Sequence, residues 1–113
     1  MAEVIRTTGK RSRKISDRGY SGILETIVAS QREGCNRLSA RILTLNPGGH
    51  TPMLENQGET VCLVIEGELV LVDGDGFLHA LSPGDAAIIR PHEKYILRND
   101  TDNAARILAV SPV

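Results

Sequence analysis

Short apolar runs, separated by turn residues, follow one another along the chain from residue 20 onward. Each run has four to eight residues, several are rich in β-branched side chains, and no helical period extends beyond two turns. Such a pattern predicts an all-β fold, either a sandwich or a small barrel. The predicted strands cover residues 23–29, 38–45, 61–66, 68–72, 77–81, 86–90, 95–98 and 105–110.

Clusters of glycine, proline and acidic residues mark the predicted turns. Asn-Pro-Gly-Gly at 46–49 is expected to end the second strand, and Ser-Pro-Gly-Asp at 82–85 forms another turn. Asp-Gly-Asp-Gly at 73–76 predicts a tight hairpin, because glycine supplies the positive φ angles that such turns need.

Composition and charge exclude several classes of protein. The 113 residues carry 13 basic and 14 acidic side chains, and only three are aromatic. This balance favours neither nucleic acid nor membrane as a direct partner. No apolar run is long enough to cross a bilayer, and no signal segment opens the sequence, so we expect a cytoplasmic protein. Cys35 and Cys62 are accordingly interpreted as reduced thiols.

The basic side chains are concentrated at the N-terminus. Residues 1–18 hold six basic and two acidic side chains. We therefore divide the chain into a basic N-terminal arm at 1–19 and one barrel domain at 20–113. The arm is interpreted as a solvated segment resting on the acidic body of its own or a neighbouring subunit; contact with a phosphate-bearing partner is the alternative.

Two segments resemble the sequence motifs of the cupins. The first runs over 47–69 and includes Gly-Gly-His-Thr-Pro at 48–52 and Ile-Glu-Gly-Glu-Leu at 65–69. The second runs over 81–99 and includes Ser-Pro-Gly-Asp followed by Ile-Arg-Pro. The resemblance is to small single-domain cupins of the RmlC-like superfamily. It implies one cupin-type β-barrel, a double-stranded β-helix or jelly roll.

The resemblance also implies where a metal would be held. In metal-binding cupins the first motif supplies two histidines and a carboxylate, which correspond here to Leu54, Asn56 and Thr60. The third histidine position corresponds to Tyr95. Leucine offers no lone pair and the other three groups are neutral, whereas first-row metals prefer imidazole and carboxylate. We therefore expect no metal and no other cofactor.

Strand alternation predicts that these positions line a pocket at the barrel mouth. A mixture of apolar and hydrogen-bonding groups suits a small polar or acidic organic ligand. Arg41 is a possible anchor for a carboxylate or phosphate of that ligand. The predicted pocket residues are Leu54, Asn56, Thr60, Cys62 and Tyr95.

Three classes of function remain open. The first, which we adopt as the hypothesis, is a metal-free small-molecule-binding barrel. The second is an enzyme, for example a metal-independent isomerase, epimerase or cyclase with Tyr95 as acid or base. The third is a structural barrel whose core is filled, with Asn56, Thr60 and Tyr95 hydrogen-bonded to one another.

A metal-dependent oxygenase is a further form of the enzyme alternative. It would need a shifted ligand set drawn from His50, Glu55, Glu59 or His92. Alternation turns the two glutamates away from the interior, and the two histidines follow turn residues, so we interpret them as exposed. His79 is likewise interpreted as a surface residue.

We also expect a homodimer. The resemblance to small cupins implies one, and the apolar run at 23–29 is suited to pair with the sheet of a second copy.

Overall fold

The computed structural model describes residues 2–113. Within this range the chain forms ten β-strands and one 3-10 helix, Gln31–Glu33, and the predicted all-β fold is confirmed. No helix in the described range is long and apolar enough to span a membrane. The strands are β1 (Arg13–Lys14), β2 (Ser21–Ala29), β3 (Leu38–His50), β4 (Leu54–Glu55), β5 (Thr60–Glu66), β6 (Leu69–Asp73), β7 (Leu78–Leu81), β8 (Ala86–Ile89), β9 (Lys94–Arg98) and β10 (Ala105–Pro112).

The strands form one antiparallel sheet that curls into a nearly closed barrel. Its main path runs β7-β6-β9-β3-β10-β5-β8, while β2 pairs with β3, β1 with β2, and β4 with β9. β7 and β8 stand at the two ends of this path and are not paired with each other. The barrel therefore has a seam between these two strands.

Alternation along the strands decides which side chains face the interior. In β5, Thr60, Cys62 and Val64 are buried, whereas Val61 and Leu63 between them are exposed. The period of two arises because successive Cβ atoms point to opposite faces of a sheet. The largest fully buried apolar side chains are Ile23, Leu43, Leu45, Val64, Leu69, Leu97 and Ile107.

The prediction of a turn at 46–49 is wrong, because β3 continues through this segment to His50. A Cβ atom on Gly49 would lie 2.7 Å from the carbonyl oxygen of Gly22, so only glycine lets β2 pass this closely. The backbone N–H of Asn99 donates to the Gly49 carbonyl at 2.8 Å. The peptide groups of this segment are therefore hydrogen-bonded to a neighbouring part of the barrel rather than to one another within a turn.

The segment predicted as a basic arm contributes to the barrel. β1 pairs with β2, and the backbone N–H of Ile15 donates to the Ile23 carbonyl at 3.0 Å. The Ile15 side chain is 6% exposed and belongs to the core. Residues 13–15 therefore cover one border of the sheet.

Candidate functional site

Four of the five predicted pocket residues lie on strands, and Asn56 follows β4. Leu54 pairs with Tyr95 across β4 and β9. Thr60, Cys62 and Tyr95 are buried, and Leu54 and Asn56 are half-buried. β4, β5 and β9 therefore bring all five predicted positions to the interior side of the barrel.

Three of these residues form a hydrogen-bonded group, which we call the polar triad: Asn56, Thr60 and Tyr95. The Asn56 amide Nδ2 donates to Thr60 Oγ1 at 2.7 Å and to the Tyr95 hydroxyl at 3.2 Å. Each polar group has a partner, as burial requires. Because the amide is the donor in both bonds, the O–H proton of Tyr95 is not used by Asn56.

A cavity of about 340 Å³ opens at the seam and reaches Tyr95. Tyr95 is the member of the predicted pocket that lines it; Asp73, His79 and Glu93, absent from that prediction, line it too. Asp73 and His79 lie two residues from the buried Leu71 and Leu81 on their strands, so their side chains belong to the same face of the sheet. This alternation is the signal from which the sequence could have predicted them. The lining residues are Leu71, Asp73, His79, Leu81, Ala86, Ala87, Ile88, Ile89, Glu93 and Tyr95.

Asp73 and His79 form a side-chain pair in this wall. His79 Nε2 lies 2.8 Å from Asp73 Oδ2. Asp73 Oδ1 accepts from the backbone N–H groups of Asp75 and Phe77 at 2.9 and 3.0 Å. The bond from His79, followed by those from the backbone, lowers the pKa of Asp73. The ring of His79 is about half exposed, as the sequence indicated, yet it lines the cavity.

Burial determines the protonation of the two interior groups Cys62 and Tyr95. It raises the pKa of Cys62 to about 11, so this thiol is not a nucleophile at neutral pH. Burial also raises the pKa of Tyr95, which keeps the phenol protonated. The positive charge of Arg41 opposes both increases without overcoming them.

The predicted anchor Arg41 is bound to a buried carboxylate. Its Nη1 lies 2.7 Å from Glu25 Oε2, and Arg13 Nη2 lies 2.9 Å from Glu25 Oε1. Burial acts to raise the pKa of Glu25, but the hydrogen bonds from the two arginines outweigh it and the pKa is lowered. Glu25 is only 5% exposed, so Arg41 neutralises a charge within the protein.

The residues considered for a shifted metal site are exposed and paired in other ways. His92 Nδ1 lies 3.4 Å from Glu55, and Glu59 lies 3.5 Å from Arg90. His50 Nδ1 lies 3.3 Å from the Thr51 carbonyl oxygen. Across residues 2–113, no three His, Cys, Asp or Glu side chains are grouped so that they could hold a metal ion.

Comparison with known proteins identifies the family. A family model described as "Cupin domain" matches residues 41–111, which is more than half of the chain. The chain belongs to the cupin family. The family shown by this match is the one that the motifs at 47–69 and 81–99 resemble. No curated protein sequence matches the chain.

Solved cupin structures superpose closely on the barrel. The polyketide cyclase RemF from Streptomyces resistomycificus is 23% identical with a TM-score of 0.90, over 99% of this chain and 80% of that one. A predicted oxalate decarboxylase from Thermotoga maritima is 22% identical with a TM-score of 0.86, over 98% and 99%. A sugar phosphate isomerase from Silicibacter pomeroyi is 21% identical with a TM-score of 0.81, over 98% and 76%. These similarities establish the cupin fold.

In this cupin the four positions that hold metal ligands in metal-binding cupins do not fit a metal. Leu54 has no lone pair. The Asn56 amide donates its hydrogens to Thr60 and Tyr95, so both hydroxyl oxygens already accept a hydrogen bond. A phenolate is disfavoured because burial raises the pKa of Tyr95. The donor set therefore lacks the imidazole and carboxylate groups that first-row metals prefer.

Proposed function

We propose that this cupin binds a small, uncharged organic molecule in the cavity beside Tyr95, without a metal ion. One observation carries the proposal: a cavity of about 340 Å³ reaches Tyr95, a position at which metal-binding cupins hold a ligand and this chain holds a neutral phenol. Pockets for small molecules start at about 300 Å³ and combine apolar walls with a few polar groups.

The composition of the cavity wall supports an uncharged ligand. Leu71, Leu81 and Ile89 supply apolar surface, and Tyr95 is the neutral polar residue of the wall. The carboxylates of Asp73 and Glu93 face the same space and would repel an anion. Arg41 is already bound to Glu25 and lies outside the lining. A neutral carbonyl or hydroxyl compound therefore suits this wall better than the acidic ligand considered from the sequence.

Screening a fragment library against the isotope-labelled protein by NMR tests this proposal. Fragments that bind in the cavity are expected to shift the signals of β6, β7 and β8. Tyr95→Phe is expected to leave the fold intact and to change their affinity about tenfold, the effect of one hydrogen bond. Tyr20→Phe is the matched control, since Tyr20 is half-buried and outside the cavity lining. An unfolded Tyr95→Phe variant, or the absence of any fragment bound at these strands, would contradict the proposal.

Elemental analysis tests the metal-free part of the proposal. Protein from medium supplemented with iron, manganese, zinc, nickel and copper, purified without chelators, is expected to carry far less than one metal per chain. A near-stoichiometric metal would overturn this expectation. The exposed residues His50, Glu55, Glu59 and His92 would then be substituted one at a time.

We also propose a homodimer, formed through the outer face of β10, β5 and β8. Val61, Leu63 and Ile88 are 43%, 37% and 58% exposed, and Val61 pairs with Ile88 on one side and Val110 on the other. Positively and negatively charged side chains border this face, among them the ion pair of Arg90 with Glu59. In a two-fold dimer the same border of each copy meets, so positive side chains of one copy can face negative side chains of the other. The run at 23–29 suits this role less, because β2 pairs with β1 and β3 of its own chain.

Sedimentation velocity measures this association. The wild-type protein is expected to sediment as a dimer and Val61→Lys as a monomer, because a buried lysine at the interface has no partner. Met53→Lys is the control, since Met53 is 59% exposed next to β4, which pairs with β9 and not with the strands of this face. A monomeric wild type, or dissociation by both substitutions, would exclude this interface.

A cytoplasmic location is part of the same proposal. Cys35 is half-buried, Cys62 is buried, and both are free thiols. Cell fractionation is expected to recover the protein with cytoplasmic markers, and recovery with an extracellular or membrane fraction would contradict it.

A further inference from the structure

Residues 54–59, which we call the mouth strap, carry Asn56 of the polar triad and are at most half-buried. Thr51 before the strap and Thr60 after it are each 2% exposed, whereas no residue of the strap itself is buried. Its regular pairing with the barrel is the two-residue strand β4 against β9. A segment with so few buried contacts belongs to the parts of a fold that open at low free energy.

The mouth strap is fastened to the turn that precedes β9. The backbone N–H of His92 donates to the Asn56 carbonyl at 2.7 Å. His92 Nδ1 lies 3.4 Å from Glu55, and Arg90 lies 3.5 Å from Glu59, but all four of these side chains are at least 45% exposed. Ion pairs this exposed contribute little. The backbone bond of His92 and the side-chain bonds of Asn56 are therefore the main fastening.

His92 makes its bond to the strap from a strained backbone conformation. Its φ angle is +65°, and it is the one residue other than glycine with a positive φ among residues 2–113. In this left-handed region a Cβ atom crowds the backbone, a cost that glycine avoids. Such outliers persist only where the surroundings hold them, and they concentrate at binding sites and switch regions. The bond to Asn56 holds His92 in this conformation, so breaking the bond releases the strain.

Opening of the mouth strap would withdraw Asn56 from the interior groups that it contacts. The Asn56 amide donates to the hydroxyl oxygens of Thr60 and Tyr95. Cys62 lies two residues beyond Thr60 on the same inner face of β5 and is 1% exposed. The cavity at the seam reaches Tyr95 but is not lined by Cys62. The mouth is therefore a separate way into the barrel, and the strap closes it.

We propose that the mouth strap opens as a unit while the rest of the barrel stays folded, and that it gives small molecules an entrance to Tyr95 and Cys62 separate from the seam. His92 is a positioning residue that keeps the strap closed through its backbone, and its side-chain pair with Glu55 is secondary. The inference goes beyond the proposed function and does not depend on a ligand in the cavity at the seam.

Labelling of Cys62 measures this opening. In the full chain with Cys35→Ser, Cys62 is the one remaining thiol. Its thiolate attacks methyl methanethiosulfonate, gains an S–CH₃ group and releases methanesulfinate, and mass spectrometry follows the rate. We expect a rate nearly independent of urea up to about 1 M, because opening of the strap exposes little surface. A rate that rises with urea as steeply as global unfolding would overturn the inference.

Substitutions of His92 separate the effect of its backbone from that of its side chain. His92→Gly removes the pair with Glu55 but accepts a positive φ, so we expect labelling about threefold slower. His92→Val opposes a positive φ, so we expect labelling about tenfold faster. His50→Val is the matched control, since it places the same side chain on the extended strand β3, and it should keep the rate. Equal rates for the two His92 variants would remove the role of His92.

Asn56→Ala tests the strap without altering the strained residue. It removes both side-chain bonds of the strap, and we expect labelling about tenfold faster, whether or not His92→Val folds. An unchanged rate would overturn the inference. Fragments that still shift the signals of β6, β7 and β8 would then leave the proposed function standing, and their absence would leave the strap standing if Cys62 is labelled as expected.

Discussion

Two carboxylates of this barrel, Glu25 and Asp73, are held by partners that differ in kind. Glu25 is 5% exposed and is held by two arginines, at 2.9 and 2.7 Å. Asp73 is 19% exposed and is held by an imidazole at 2.8 Å and by two backbone N–H groups. Hydrogen bonds keep the pKa of each below its ordinary value, in Glu25 against the opposing effect of burial.

The comparison separates a charge cluster that joins several strands from a pair that lines a cavity. Arginine stays protonated at every physiological pH, so the Glu25 cluster can join β1, β2 and β3 but cannot exchange a proton. Asp73 is instead held by one imidazole and by the backbone of its own hairpin, so its pair joins only β6 and β7. Position adds to this difference, because the Asp73 pair lines a cavity and the Glu25 cluster does not.

The largest effect is expected at the Glu25 cluster. Arg41→Met removes the partner of Glu25 Oε2 and leaves a buried carboxylate with Arg13 alone. We expect the free energy of unfolding to fall by about 2 kcal/mol, less than for a fully buried pair because Arg41 is one-third exposed. Urea denaturation measures it, and Arg90→Met, which breaks an exposed pair, should cost no more than about 0.5 kcal/mol. Equal losses would show that Glu25 is solvated.

Lowering the pH tests the same difference between Glu25 and Asp73. A carboxylate with a lowered folded pKa stabilises the protein above its unfolded pKa, about 4.5 for Glu25, and this stabilisation is lost as the pH falls through the folded value. We expect Glu25→Gln to flatten the decline in stability between about pH 6 and about pH 3 more than Asp73→Asn does. Urea denaturation across this range provides the measurement. An equal flattening in the two variants would remove the distinction between them.

A smaller effect on stability is expected in the polar triad. Thr60→Val keeps the shape of a buried side chain but removes the oxygen that accepts from Asn56 at 2.7 Å. We expect a loss of about 1 kcal/mol, the usual value of one hydrogen bond. Thr26→Val is the control, because the Thr26 hydroxyl pairs with Ser12 at an exposed position. Thermal unfolding of both variants decides whether the polar triad contributes to stability.

The smallest effect on stability is expected from His79→Ala. The ring is about half exposed, and Asp73 keeps its two backbone donors, so the loss should stay below about 0.5 kcal/mol. Denaturation in urea measures this loss. A loss of about 2 kcal/mol would make His79 structural and would remove the contrast with Glu25.

The sequence predicted much of the fold because alternation is a local property. The resemblance to the cupin motif placed Thr60 on the inner side, alternation along the run at 61–66 then placed Cys62 and Val64 on the same side, and these three are buried. The same rule applied to β6 and β7 would have placed Asp73 and His79 on the inner side, in phase with Leu71 and Leu81. The turn prediction at 46–49 failed because the contact that requires glycine there, with Gly22, comes from another strand.

The sequence by itself determined the all-β fold, the cupin motifs and the neutral residues at the positions of the family's metal ligands. Each of these depends on spacing along one stretch of chain. Only the tertiary structure decided that the polar triad closes on itself and that the cavity lies at the seam between β7 and β8. It also decided that Glu25 faces two arginines and that Asp73 lies beside Tyr95. These pairings depend on the register between distant strands, which packing of the whole barrel sets.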